Sequence, residues 1–202
     1  MVTAEDALAR LIAGNRRFIA NQLTNHDVQS SRHEVANGQH PFAIVLGCAD
    51  SRVPPELIFD QGLGDLFVIR VAGNIVPPSL VGSVEFAADQ FGTRLVVVLG
   101  HSKCGAVAAT IEALKHDAQN DSPNVQAIVE RIRPAVSPLM NSVPQHELMP
   151  AAIRANVLAS TQHLRHESKI IGSLIAQDGL VVVGAEYSLE TGAVDFFDGL
   201  ST

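Results

Sequence analysis

Gly47-Cys48-Ala49-Asp50-Ser51-Arg52-Val53-Pro54-Pro55 cuts short an apolar run, Phe42-Ala43-Ile44-Val45-Leu46, and this junction decides the fold. The run is too short for a buried helix and carries β-branched residues, so it reads as a strand buried on both faces. Two prolines then stop any strand and can open a helix at Glu56. The same pattern recurs twice. Leu66 to Val71 is a second strand, followed by Gly73-Asn74 and a helix from Ser79 to Gln90. Leu95 to Leu99 is a third, followed by Gly100-His101-Ser102-Lys103-Cys104-Gly105 and a helix from about Ala106 to His116. Strands alternating with helices predict an α/β fold with a mostly parallel central sheet flanked by helices.

Outward from this centre, residues 3–22 have helical apolar spacing at Leu8, Leu11, Ile12, Phe18 and Ile19, with Thr3 as N-cap and Asp6 three residues on. Residues 1–22 are expected to form an N-terminal helical arm. A polar stretch runs from Asn21 to His40. Later helices are expected over Asn124–Asn141 and Ala151–Ala176, with a fourth strand over Leu180–Tyr187. Glu190-Thr191-Gly192 is a turn, and Val194–Phe197 returns as an antiparallel C-terminal edge strand. No linker or repeat divides the chain, so residues 1–202 are expected to form a single domain.

The 202 residues are 47% hydrophobic and 17% charged, which suits one globular domain. A net charge of -7 with scattered basic residues argues against a nucleic-acid partner. Two cysteines are too few for a secreted disulfide framework, and no leader or membrane-length apolar stretch is visible. A cytoplasmic protein with no membrane partner is the expectation. Neither glycine-rich phosphate signature is present, which removes a nucleotide-binding reading.

Ligands of open α/β sheets gather at the carboxyl ends of the strands. Cys48 and Asp50 end the first strand; His101 and Cys104 end the third. Two thiolates and an imidazole supply three of the four ligands of tetrahedral zinc and leave one position for water, the catalytic arrangement. One Zn2+ per subunit is expected, and the helix beginning at Cys104 should favour that thiolate. Taken singly, either cysteine reads more readily as inert core, and His-x-x-Cys alone is weak. The conjunction at two strand ends is specific. Asp50 sits two residues from Cys48, on the same side of extended chain, near enough to ligate the metal itself in a closed state. Arg52 can bind the Asp50 carboxylate bidentately and hold it ionised and off the metal. The other histidines (His26, His33, His40, His116, His146, His163 and His166) read as surface residues.

Cys48-Ala49-Asp50-Ser51-Arg52 and His101-Ser102-Lys103-Cys104-Gly105 resemble the paired motifs of the β-class carbonic anhydrases. The likeness continues through Asp65–Arg70, Ala72-Gly73-Asn74 and Gly82–Glu85. It implies reversible hydration of carbon dioxide to bicarbonate and a proton by zinc-bound hydroxide, assisted by an Asp50–Arg52 dyad. It also implies a homodimer or homotetramer with active sites at subunit interfaces, and an N-terminal helix packed across a partner. The plant-type branch is implied by Gln39, at the position of a substrate-reaching glutamine. Phe67 and Phe86 match apolar pocket positions, and the Gly105 N–H matches a contact to bicarbonate. The other branch needs a tryptophan where this chain has Val45, although Arg70 and Tyr187 are retained, so strong bicarbonate-driven closure is not expected. The competing readings are hydrolysis of a carbon dioxide analogue such as carbonyl sulfide, and a non-catalytic zinc protein.

Overall fold

The computed structural model describes residues 2–24, 26, 28–116 and 121–200, with the backbone alone for 28–31. Its sheet has five strands: β1 (Ala43–Gly47), β2 (Leu66–Arg70), β3 (Leu95–His101), β4 (Val181–Tyr187) and β5 (Val194–Asp198). Their order is β2-β1-β3-β4-β5. The first four are parallel, and β5 returns antiparallel to β4, as the edge-strand expectation required. The chain leaves β1 toward one side for β2 and comes back to the other side for β3. The order therefore reverses between β1 and β3, where a crevice opens at the carboxyl ends. Gly47 is in register with Leu99, so the loop at Cys48 and the turn at His101 begin side by side.

Helices cover both faces. On one face α1 (Ala4–Ile19) lies on the sheet, capped by Thr3 Oγ1, which accepts from the Asp6 N–H at 3.1 Å. Its Ala4, Ala7 and Leu11 are buried with Val45, Val97, Leu99 and Val183 of the strands. Of the apolar stripe only Leu11 is spent fully on the helix's own sheet; Leu8, Ile12 and Phe18 are part-buried and Ile19 is exposed. α2 (Val28–Val35) falls inside the stretch read only as polar. α3 (Pro55–Ile58) opens at the second proline.

The opposite face carries α4 (Pro78–Gln90), α5 (Gly105–His116), α6 (Pro123–Val136), α7 (Leu148–Glu167) and α8 (Lys169–Gln177). Two expected helices are divided. α6 gives way to a 3-10 turn at Ser137–Leu139, because Pro138 has no N–H to continue the helix. The stretch 151–176 breaks at Ser168, whose backbone is extended (φ -99°, ψ 119°). Ser168 Oγ accepts from the Ile171 N–H at 3.1 Å and donates to Glu85 Oε1 at 2.6 Å, so it caps α8 and ties it to α4. Among the described residues no helix is long and apolar enough to cross a membrane.

Candidate metal centre

Cys48 follows the last residue of β1, His101 is the last residue of β3, and Cys104 immediately precedes α5. All three are buried, and their ligand-capable atoms lie within 4.8 Å of one another. His101 Nδ1 is 2.9 Å from the Ser102 carbonyl, which places the ring proton on Nδ1. Nε2 is then a bare acceptor, buried and without a hydrogen-bond partner among the described residues. An orphan of this kind calls for a ligand. Cys48 Sγ receives the Gly73 N–H at 3.3 Å, and Cys104 Sγ accepts from the Val107 and Ala106 N–H groups of α5.

The two thiols lie close enough to influence each other's ionisation. Cys104 donates to Cys48 and, against the effect of burial, brings its pKa down to about 4. Cys104 is pushed up by that same contact and by burial, which outweigh its helix N–H donors. The start of α5 favours the Cys104 thiolate, as the sequence led one to expect, and the neighbouring Cys48 opposes it. Burial disfavours a charge on His101, yet Cys48 beside it raises its pKa overall. Two thiols in contact do not both ionise unless a cation lies between them. Two thiols with one orphaned imidazole nitrogen fit a soft, tetrahedral metal ion.

Asp50 and Arg52 stand at the mouth. Arg52 Nε donates to Asp50 Oδ1 at 2.9 Å and Nη2 to Oδ2 at 2.7 Å, while the Arg52 backbone N–H reaches Oδ1 at 3.0 Å. These bonds hold the carboxyl well below the usual carboxylate range. Asp50 Oδ2 lies 3.9 Å from His101 Nε2, beside the place a metal would take. Arg70 clamps the same loop from behind, donating to the Cys48 carbonyl at 3.0 Å and to the Asp50 carbonyl at 2.5 Å. The turn between His101 and Cys104 is pinned as well. Ser102 Oγ donates to Glu190 at 2.8 Å and accepts the Leu189 N–H at 2.9 Å, and Lys103, in the left-handed region at φ 56°, reaches Glu190 at 2.7 Å.

The other candidate residues divide. Gly105 opens α5 with its Cα facing open space, beside Cys104. Phe67 is in register with Ile44, four residues before Cys48, which puts it about 13 Å from the centre along the strand. It packs with Phe86 and Phe91 as an aromatic cluster, and Phe86 is 53% exposed. Gln39 is exposed ahead of β1. One chain therefore does not bring Phe67 to its own Cys-His-Cys cluster. Val45 is buried in β1, and Tyr187 is buried opposite His101.

A carbonic anhydrase family model matches residues 43–194, a span that holds all three ligand candidates, Asp50, Arg52 and most of the sheet. The chain belongs to the carbonic anhydrase family. A carbonic anhydrase 2 of Mycobacterium tuberculosis is 39% identical over 181 residues, covering 89% of this chain and 86% of the relative. A carbonic anhydrase of Synechococcus elongatus is 31% identical over 196 residues, covering 93% and 70%. The solved β-carbonic anhydrase CcaA superimposes with a TM-score of 0.76 at 29% identity, covering 96% of this chain and 92% of that one. The family assignment is thus to the β class, and the activity is hydration of carbon dioxide.

Structure adds supporting residues of this carbonic anhydrase that the sequence did not single out. Gly73, at φ 72°, supplies the N–H to Cys48. Asn156 Nδ2 holds the Gly73 carbonyl at 2.8 Å and Ser160 Oγ the Asn74 carbonyl at 3.0 Å, both from α7. Their signal in sequence is slight: polar residues at helical spacing read as a solvated face. Two histidines taken as surface are half-buried, His26 against Asp60 and His163 beside Ser160.

Proposed function

We propose that the chain hydrates carbon dioxide reversibly at a single zinc ion held by Cys48, His101 and Cys104. The observation that carries this is the orphaned Nε2 of His101, buried within 4.8 Å of two thiols and aligned by its Nδ1 bond to Ser102. Zinc bound there would supply a Lewis acid that turns water into a nucleophile near neutral pH. Everything else is the work of the protein. Asp50 accepts a hydrogen bond from the attacking water and orients it. Arg52 keeps Asp50 ionised and, by its two-point grip, turned away from ligation. The Gly105 N–H, in the first turn of α5, donates to an oxygen of the product anion.

Gln39, Phe67 and Phe86 serve the pocket through a second copy. β2 ends the sheet with an open edge, and the aromatic cluster lies beside it partly exposed. A homodimer, or a homotetramer built from it, covers that surface and brings a dry wall to each neighbouring centre. We read the pocket as plant-type, the whole chain 1–202 as one functional unit, and its location as cytoplasmic. The partners are carbon dioxide, bicarbonate and further copies of the chain.

Stopped-flow hydration across about pH 6.5 to 9, on protein with measured zinc content, tests this reading. Activity that tracks zinc occupancy and rises with pH supports it. Fully zinc-loaded protein without hydration rejects it, and turnover of carbonyl sulfide in that protein would move the function to a carbon dioxide analogue.

A further inference from the structure

The α7 side chains that brace the Gly73 loop also floor a cavity. Ile75, Val76, Arg131, Asn156, Ser160 and His163 line a space of about 200 Å³, from which the metal-centre residues are absent. Its chemistry is one-sided: there is no carboxylate in the lining. The side chains of Arg131 and His163 make no hydrogen bond or ion pair among the described residues. Asn156 and Ser160 are 2% and 4% exposed. Asn156 spends one amide hydrogen on the Gly73 carbonyl and keeps the other. Asn74, whose carbonyl accepts from Ser160, lies just behind the lining with a buried Nδ2 that has no hydrogen-bond partner among the described residues, and the next residue, Ile75, forms part of the wall. A lone unpaired arginine on a surface needs only water. Here the exposed arginine shares its cavity with Asn156, a buried donor with a hydrogen to spare, and a buried donor requires an acceptor.

We propose that this cavity binds a small oxyanion of the class of bicarbonate or inorganic phosphate. Arg131 grips it by its guanidinium fork, and Asn156 and His163 donate from the floor and side. The space holds about six waters' worth of volume, enough for an anion of four or five heavy atoms with residual water. The site communicates with the metal centre through two contacts. Ile132, next to Arg131 on α6, is packed against the Cα of Gly73, and Asn156 holds the Gly73 carbonyl. Gly73 in turn donates to Cys48.

The test uses the zinc-loaded, 15N-labelled full chain, titrated separately with inorganic phosphate and with bicarbonate. Saturable shifts of the Ile75, Val76 and Ser160 amides are expected. Arg131→Gln should weaken them by about tenfold or more, the usual effect of losing a charged hydrogen-bond partner. The same variant should hydrate carbon dioxide normally in buffer free of added anions, which separates this site from the catalytic one. A response to both anions supports a general oxyanion site, and a response to one alone supports a site selective for it. Shifts confined to Gly105 and its neighbours, no saturable shift, or equal affinity in Arg131→Gln would overturn the proposal.

Discussion

Replacing Gly73 by alanine should destabilise the protein and loosen its metal together. Gly73 has φ 72°, and a Cβ there would stand 2.8 Å from Ile132 Cδ1 and 3.0 Å from Ala106 Cβ. The left-handed backbone alone costs an alanine about 1 kcal/mol. Forcing a methyl into a packed site adds about 1–3 kcal/mol, and Ile132 is fully buried and has little room to yield. The sum is about 2–4 kcal/mol, a large share of a usual stability of about 5–15 kcal/mol. Relief can be designed. Ile132→Val removes the Cδ1 that clashes; alone it costs about 1 kcal/mol, but in the Gly73→Ala background it should be neutral or favourable. Urea denaturation of the four proteins in that cycle gives the coupling, expected at about 1–2 kcal/mol. Zinc competition against a chromophoric chelator should show Gly73→Ala binding about 10- to 100-fold more weakly, since the N–H that supports Cys48 is displaced. Strictly additive stabilities, or an alanine variant as stable and as tight for zinc as the parent, would refute the reasoning.

Arg52→Ala should reduce hydration by at least about tenfold with zinc content unchanged, because the unclamped carboxylate no longer stays in its acceptor position; stopped-flow rates on metal-quantified protein check it. Asp60→Asn concerns a buried carboxylate. Burial pushes its pKa up, but Arg17 at 2.5 Å and Thr24 together bring it below the ordinary value. A lowered folded pKa contributes stability above the unfolded value near 4 and loses it as pH falls below. The variant should therefore be less stable by about 1–3 kcal/mol at neutral pH, with the gap closing below about pH 4 in urea titrations. Ser168→Ala removes both the α8 cap and the bond to Glu85, and should cost about 1–2 kcal/mol by the same method.

The sheet and the metal cluster were legible in the sequence because each is written in local chemistry. Runs such as Leu95 to Leu99 have a composition that only a buried strand satisfies, and Cys48 and His101 stand where those runs stop. The break at Ser168 was not legible, since the apolar period of 151–176 carries across it with no proline, and the one glycine, Gly172, lies beyond the break inside α8. The break depends on Glu85, far away in sequence. The pairing of the two cysteines was only half legible for a related reason: the helix start at Cys104 is visible locally, whereas its neighbour Cys48 is brought to it by the sheet. Phe67 and Phe86 show a third limit. Their match to pocket positions holds in sequence, yet β2 runs them to the far end of the strand from their own Cys48. A residue can be legible as part of a pocket without the sequence saying whose pocket it is. For this chain the aromatic cluster, partly exposed beside an open sheet edge, is the observation behind our proposal that a second copy completes the pocket.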